Sequence, residues 1–402
     1  MIKRSDFPIL NTKINGQPLV YFDNAATTQK PKVVIDAITD YYLYDNANLH
    51  SSINPLGERV LKKYQESREV VADFVGASSE EIVFTSGATA SLNLIAKTWG
   101  EANLSAGDIV VLSVAEHHAN IVPWLQLKES KKIKIKYIDL LPDGSLNLGS
   151  AKKLLASPRV KLLSLANVSN VLGIINPIEK IIKLAQSKNI ITVVDASSGI
   201  SHFQTDVKKI GCDFLVFSGH KLYGPTGIGL LYGRKELLDN LKPLFGGGGI
   251  IERVTLDSFT TITTPDKFEA GTPNIEGVIA LAAACRYLKK LTWAVINKKE
   301  QELSNYFIQK IKEHEYISLI GGAKLKVPLF SFNILGIHPH DVADFLGQKG
   351  IVVRAGQHCA QPLHNFLKLP TSIRASLSFY NTKKEIDLFF KALKEVYSYF
   401  NS

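Results

Sequence analysis

The feature that most constrains the fold is a series of short runs made largely of aliphatic and aromatic residues, at 81–85, 109–113, 160–166, 190–194, 214–217 and 228–232. Several lack the in-and-out alternation of a strand with one wet face, and read as strands covered on both sides. Helical patterns lie between them, among them 90–99 and 178–187. Asn176-Pro177 precedes the second, offering an N-cap followed by proline at the first helical position. Strands and helices alternating in this way predict an α/β fold built on a mostly parallel sheet.

The pattern changes near residue 290. A long helical pattern covers 292–313, strands are expected near 329–334, 351–354 and 373–379, and Thr382-Lys383-Lys384-Glu385 is a capping box that opens a last helix. This part is expected to form a smaller α+β domain from residues 1–20 and 291–402, beside a large domain of 21–290. A chain of 402 residues can bury both cores. The run Gly246–Gly249 marks a flexible loop.

Lys3-Arg4-Ser5-Asp6-Phe7-Pro8 carries no apolar stretch after its positive charge, which argues against a signal peptide. The longest apolar run, 278–285, is too short to span a bilayer and stops at Arg286. Three widely spaced cysteines, Cys212, Cys285 and Cys359, suggest neither a disulfide framework nor a zinc site, and a cytoplasmic setting fits them. The first two read as small buried hydrophobes. The net charge of +10 raises nucleic acid as a partner, but the lysines are scattered in pairs, so solvated faces are expected instead.

Chemistry gathers where the apolar runs end. Lys221 follows the 214–217 run in Ser218-Gly219-His220-Lys221, and ligands of open α/β sheets bind beyond strand C-termini. A buried lysine there gives up its charge readily and can condense with an aldehyde cofactor. Asp195 ends the 190–194 run; its carboxylate could pair with a pyridinium nitrogen or cap a helix. The turn 85–90 joins a strand to a helix and offers a phosphate backbone N–H groups and hydroxyls, with Ser218 and His220 as further donors. His117 and His118 point apart on extended backbone and make a poor metal pair. His117 suits stacking on a cofactor ring and moving protons, whereas His118 reads as a core histidine. Cys359 lies in Arg354-Ala355-Gly356-Gln357-His358-Cys359, where nearby cations and a loosening glycine give the setting of a reactive thiol. Arg374 interrupts an apolar run, to grip a carboxylate bidentately or to complete a structural ion pair.

Residues 217–229 (FSGHKLYGPTGIG), 116–124 (EHHANIVPW), 268–274 (FEAGTPN), 354–363 (RAGQHCAQPL) and 373–382 (IRASLSFYNT) together resemble SufS-like cysteine desulfurases, the group II branch of the NifS/CsdB-like enzymes in the class-V aminotransferase superfamily. The resemblance runs from Tyr21 to about Asn381, and its motifs are long, ordered and spread over both expected domains. It implies a fold type I enzyme of pyridoxal 5′-phosphate, a homodimer with active sites near the subunit interface, and conversion of L-cysteine to L-alanine. The sulfur would be held as a persulfide on Cys359 and passed on for iron–sulfur cluster assembly. By the same resemblance Lys221 carries the cofactor, Asp195 pairs with its ring nitrogen and His117 stacks on the ring. Thr89, Ser218 and His220 bind the phosphate, and Thr272 reaches the phosphate of the other subunit. Asn170 and Arg374 hold the substrate carboxylate, with His50 and Arg354 beside it.

The sequence departs from that family in places. Ser198 stands where a glutamine usually contacts the cofactor's phenolic oxygen, Ala88 replaces a threonine of the phosphate turn, and Ser51 replaces a common basic residue. Selenocysteine lyase or another β-lyase is the nearest alternative activity; a cofactor-free scaffold or nucleic-acid-binding protein is the remote one. The sulfur acceptor implied is SufU-like, which holds zinc, or SufE-like. His338-Pro339-His340-Asp341 resembles the segment of SufU-partnered enzymes in which His340 would contact the partner's zinc, though an exposed helix start reads equally well.

Overall fold

The computed structural model describes residues 2–49 and 53–401. The apolar runs assemble into one seven-stranded sheet, in the order Ile82–Thr85, Gly229–Gly233, Phe214–Ser218, Ile191–Asp195, Val160–Ala166, Ile109–Ser113 and Lys134–Ile138. All run parallel except Gly229–Gly233, which is antiparallel to both neighbours. Alternate residues serve two cores. Leu163, Leu165, Val194, Leu215 and Phe217 belong to one, and Leu162, Val193, Phe214 and Val216 to the other. Phe214 through Phe217 are wholly buried and all apolar, as expected of a strand covered on both faces. The α/β architecture with a mostly parallel sheet is therefore as the sequence implies.

Within this sheet, Lys134–Ile138 is the strand the sequence does not announce. It lies at the sheet edge and alternates exposed lysines, Lys134 and Lys136, with half-buried Ile135 and Tyr137. Charged edges of this kind resist unwanted strand pairing. Asn176 does not cap the helix Ile178–Gln186; its side-chain amide instead donates to the Ala166 carbonyl at 2.8 Å.

A second sheet, antiparallel, has the order Ile317–Ile320, Leu329–Ile334, Ser372–Ser376 and Arg354–Gly356. The single strand expected at 351–354 is divided at Val353. Ile351–Val352 pairs in parallel with Val20–Tyr21, while Arg354–Gly356 joins Ser372–Ser376. The N-terminal segment thus touches both cores: Phe7 packs on Tyr223 and Tyr380, while Val20 and Phe22 lie among Phe307, Phe330 and Phe389. The capping box forms, with Thr382 and Glu385 closing the start of Lys383–Phe400.

One close backbone approach sets the floor of the site. Gly87 turns the chain from Ile82–Thr85 into the helix Ala88–Ile95 with φ near +155°, and a Cβ on Gly229 would lie 2.4 Å from the Gly87 Cα. Gly229→Ala is expected to cost about 1–3 kcal/mol in denaturant unfolding. The turn must shift to admit the methyl, so cofactor-binding affinity should fall as well, measurable by equilibrium dialysis.

Candidate active site

Five strand ends of the central sheet and the loop around Cys359 enclose a cavity of about 200 Å³. Ala88, Thr89, His117, Asp195, Ser198 and Ser218 line it. So do His220, Lys221, Asn170, Arg354, Cys359 and Arg374. Thr272 is not among the lining residues; it is exposed, and its hydroxyl accepts from the Asn48 amide at 3.2 Å. His50 and Ser51 fall outside the described residues. His340 is likewise outside the cavity, but its Nε2 stands 3.9 Å from where a Cβ of Gly356 would be, at the base of the Cys359 loop.

One pole of the cavity suits an anionic, aldehyde-bearing ring. The Ala88 N–H donates to Ser218 Oγ at 2.9 Å, placing a hydroxyl at the start of the helix Ala88–Ile95. Lys221 is half-buried, and desolvation lowers its ammonium pKa, with Asp195 opposing and Arg374 assisting. Asp195 is buried and accepts a bond from the Ser197 N–H at 2.9 Å, yet forms no ion pair within 4.0 Å among the described residues. A buried carboxylate so placed fits a protonated ring nitrogen. The Ser197 hydroxyl beside it is buried and without a partner. His117 accepts the Ala119 N–H on Nδ1 at 3.0 Å, which leaves its proton on Nε2. Burial and then the Lys221 charge push its pKa down to about 4, so the ring is neutral at pH 7.

The other pole suits a carboxylate and a thiol. Arg374 is almost fully buried; its guanidinium donates to Asp23 Oδ1 at 3.0 Å and to the Asn170 carbonyl at 2.9 Å, while Nε has no partner. Arg374 thus has the structural ion pair, and it also lines the cavity. The Asn170 amide donates to the His358 carbonyl at 2.7 Å. Cys359 is exposed, and with His358 it forms a turn of two left-handed residues, at φ near +55° and +51°. Cys212 and Cys285 are buried, and burial raises their thiol pKa values.

Two histidines correct the sequence reading. His118 is no core residue: its N–H donates to the Cys359 carbonyl at 2.8 Å, and its Nε2 accepts the Gln361 N–H at 3.1 Å. It ties the thiol loop to the central sheet. His358 adds no positive charge beside the thiol. Its ring is turned to Ser372, 3.1 Å away, and burial followed by Arg374 drives its pKa down to about 2.

Asp23 and Glu116 went unassigned in the sequence. A buried arginine in an apolar strand demands a carboxylate somewhere, but only the fold shows which. Glu116 is fully buried behind His117 and accepts from Ser113 Oγ, the Asn120 amide and the Ala166 N–H at 2.5, 2.8 and 2.9 Å.

Residues 20–389 match the family described as Aminotransferase class-V, and the chain belongs to that family. Its fold type I cofactor, pyridoxal phosphate, is the group this cavity takes. Within the family the chain is similar to probable cysteine desulfurases. That of Synechocystis sp. is 45% identical, over 99% of this chain and 96% of that one. That of Halalkalibacterium halodurans is 43% identical, over 98% and 97%. Among solved structures, the apo cysteine desulfurase of Thermococcus onnurineus NA1 has a TM-score of 0.93 at 40% identity, covering 98% of this chain and 96% of that one. The cysteine desulfurase CsdA of Escherichia coli, solved in an S-sulfonic acid form, gives 0.90 at 36%, covering 98% and 97%.

Glu116 makes stability depend on pH. Burial, outweighing its three donors, raises its pKa from 4.5 to about 7 in the folded chain. Between those values the folded state holds a proton the unfolded chain has lost, so this contribution is full below pH 4.5 and gone above about pH 7. Glu116→Gln should flatten that fall, on the order of 3 kcal/mol, in urea unfolding measured from pH 5 to 8.

Proposed function

We propose that the chain is a pyridoxal-phosphate-dependent cysteine desulfurase that takes sulfur from L-cysteine as a persulfide on Cys359 and releases L-alanine. One observation carries this reading: Lys221, Asp195, Arg374 and Cys359, from four separate segments, line the same cavity. The desulfurase relatives, similar over nearly the whole chain, support it.

Each side chain has a task that its surroundings allow. Bound to Lys221, pyridoxal phosphate supplies an electron sink for the substrate's α-carbon. Asp195 would pair with the ring nitrogen, His117 would lie against the ring as a neutral imidazole, and Thr89, Ser218 and His220 would hold the phosphate. Arg374 grips the substrate carboxylate, aided by Asn170 and Arg354. Lys221, whose lowered pKa favours a free amine, takes the α-proton. The Cys359 thiolate then attacks the substrate sulfur. The new S–S bond forms as the Cβ–S bond breaks, and its electron pair stays with carbon, which is protonated on the way to alanine.

The exposed Thr272, apart from this chain's cavity, supports a homodimer in which it serves the partner's phosphate site. His340 beside Gly356 supports a zinc-bearing, SufU-like acceptor that approaches the Cys359 loop, with neutral imidazole competing for the zinc.

Lys221→Ala should lose the visible absorbance of the bound cofactor and all alanine formation. Cys359→Ser should lose the added sulfur that mass spectrometry otherwise finds on the Cys359 peptide. Sulfur on Cys212 or Cys285, or equal turnover in Cys359→Ser, would defeat the reading. Ser198→Gln should tighten the cofactor by about 0.5–1.5 kcal/mol, read as its dissociation constant, if Ser198 falls short of the phenolic oxygen. His340→Ala should spare basal turnover and abolish stimulation by a zinc-bearing acceptor. Equal stimulation of both forms, or stimulation by a zinc-free acceptor alone, would exclude that partner class.

A further inference from the structure

Residues 23–30 form one segment whose ends hold opposite poles of the cavity. At one end Asp23 pairs with Arg374, while the Asn24 amide and the Ala25 N–H donate to Ser376, two residues further along the same strand, at 2.7 and 2.9 Å. At the other end four donors converge on the carbonyl of His220, the residue before Lys221. They are Thr27 Oγ1 at 3.2 Å, the Thr28 N–H and Oγ1 at 3.1 Å each, and Lys30 Nζ at 2.9 Å. Thr28 Oγ1 also accepts the Tyr223 N–H at 2.8 Å, so the turn that presents Lys221 is bound on both flanks.

Lys30 is unusual in this set. Its ammonium is largely buried, and its contacts are the neutral Thr28 carbonyl, the His220 carbonyl and Thr27 Oγ1. Three donors thus meet three acceptors, and no carboxylate within 4.0 Å offsets the charge among the described residues. Burial alone brings its pKa down to about 8. A surface lysine would avoid that desolvation cost. An amide has too few hydrogens to replace it, and an apolar side chain would strip the Thr28 carbonyl of its donor and remove from the His220 carbonyl the one charged donor among its four.

We propose that Lys30 is a positioning residue: its ammonium pins the peptide carrying Lys221 and, through residues 23–30, fixes Lys221 relative to Arg374. The proposal rests on the desulfurase reading and goes beyond the groups that touch cofactor or substrate. It predicts opposite kinetic signatures for the two ends of the segment. Misplacing the lysine turn leaves the carboxylate grip intact and slows chemistry, whereas loosening Arg374 weakens substrate binding.

The test compares Lys30→Met, Lys30→Arg and Asp23→Asn. In Lys30→Met, kcat for L-cysteine should fall about a hundredfold while KM stays within about threefold. Lys30→Arg, which keeps a charged multiple donor, should recover most of the loss. Asp23→Asn should chiefly raise KM, by about tenfold. In the cofactor-free chain, hydrogen exchange at the Tyr223 amide should quicken about tenfold in Lys30→Met and stay near wild type in Lys30→Arg, with amides of the strand Val160–Ala166 unchanged as a check on the fold. Wild-type kcat with unchanged Tyr223 exchange in Lys30→Met would overturn the proposal. So would a KM rise matching that of Asp23→Asn, or a Lys30→Arg that behaves like Lys30→Met. Absence of cysteine turnover in the wild type would defeat the desulfurase reading instead, and the exchange comparison would still decide the positioning role.

Discussion

The buried ion pair of Arg374 with Asp23 is the constraint on which the site depends. A guanidinium at 2% exposure inside an apolar strand carries a desolvation penalty of several kcal/mol. Burial pushes both groups toward their neutral forms, and each opposes the effect on the other. Such a pair seldom stabilises a fold more than apolar residues of equal volume would. Its presence is better explained by what it orients. It brings the segment after Tyr21 across the cavity mouth, sets the Asn170 carbonyl, and through the Asn170 amide holds the backbone of the Cys359 loop.

The same dryness governs the remaining groups. Lys221, His117, His220 and His358 all have pKa values lowered chiefly by burial, which favours their uncharged forms. A neutral amine can attack an aldehyde or remove a proton, and a neutral imidazole can lie against a ring without repelling a cation. The guanidinium groups of Arg374 and Arg354 mark where an anionic substrate group would be drawn.

Much of this was legible in the sequence because buried parallel strands leave a strong imprint. The runs that became the strands Ile109–Ser113 and Val160–Ala166 are read to the residue, and Lys221 and Asp195 stand where strand ends meet ligands. Lys134–Ile138 was illegible because an edge strand is half polar and resembles a loop. Asp23 and Lys30 were illegible for another reason. Their partners, Arg374 and His220, are 351 and 190 residues away, and Lys30 acts on a backbone carbonyl, which no side-chain motif records. His118 was misread because its role is to hold another loop's backbone at Cys359 and Gln361.

The loop that carries Cys359 reconciles two opposed demands. Two consecutive non-glycine residues with positive φ store backbone strain, which persists only where the surroundings over-determine it. Here the bonds from His118 and Asn170 to the loop carbonyls, and from the Gln357 side chain to the Pro370 carbonyl at 3.1 Å, supply that restraint. The turn aims Cys359 outward while His358 is buried against Ser372. A thiol on a tethered turn can meet a substrate at the cavity rim while its backbone is held by these bonds. On the proposed reading, the sulfur it receives is collected by a molecule that comes to the rim. The exposed Arg354 and His340, both adjoining that rim, are the groups such a visitor would meet first.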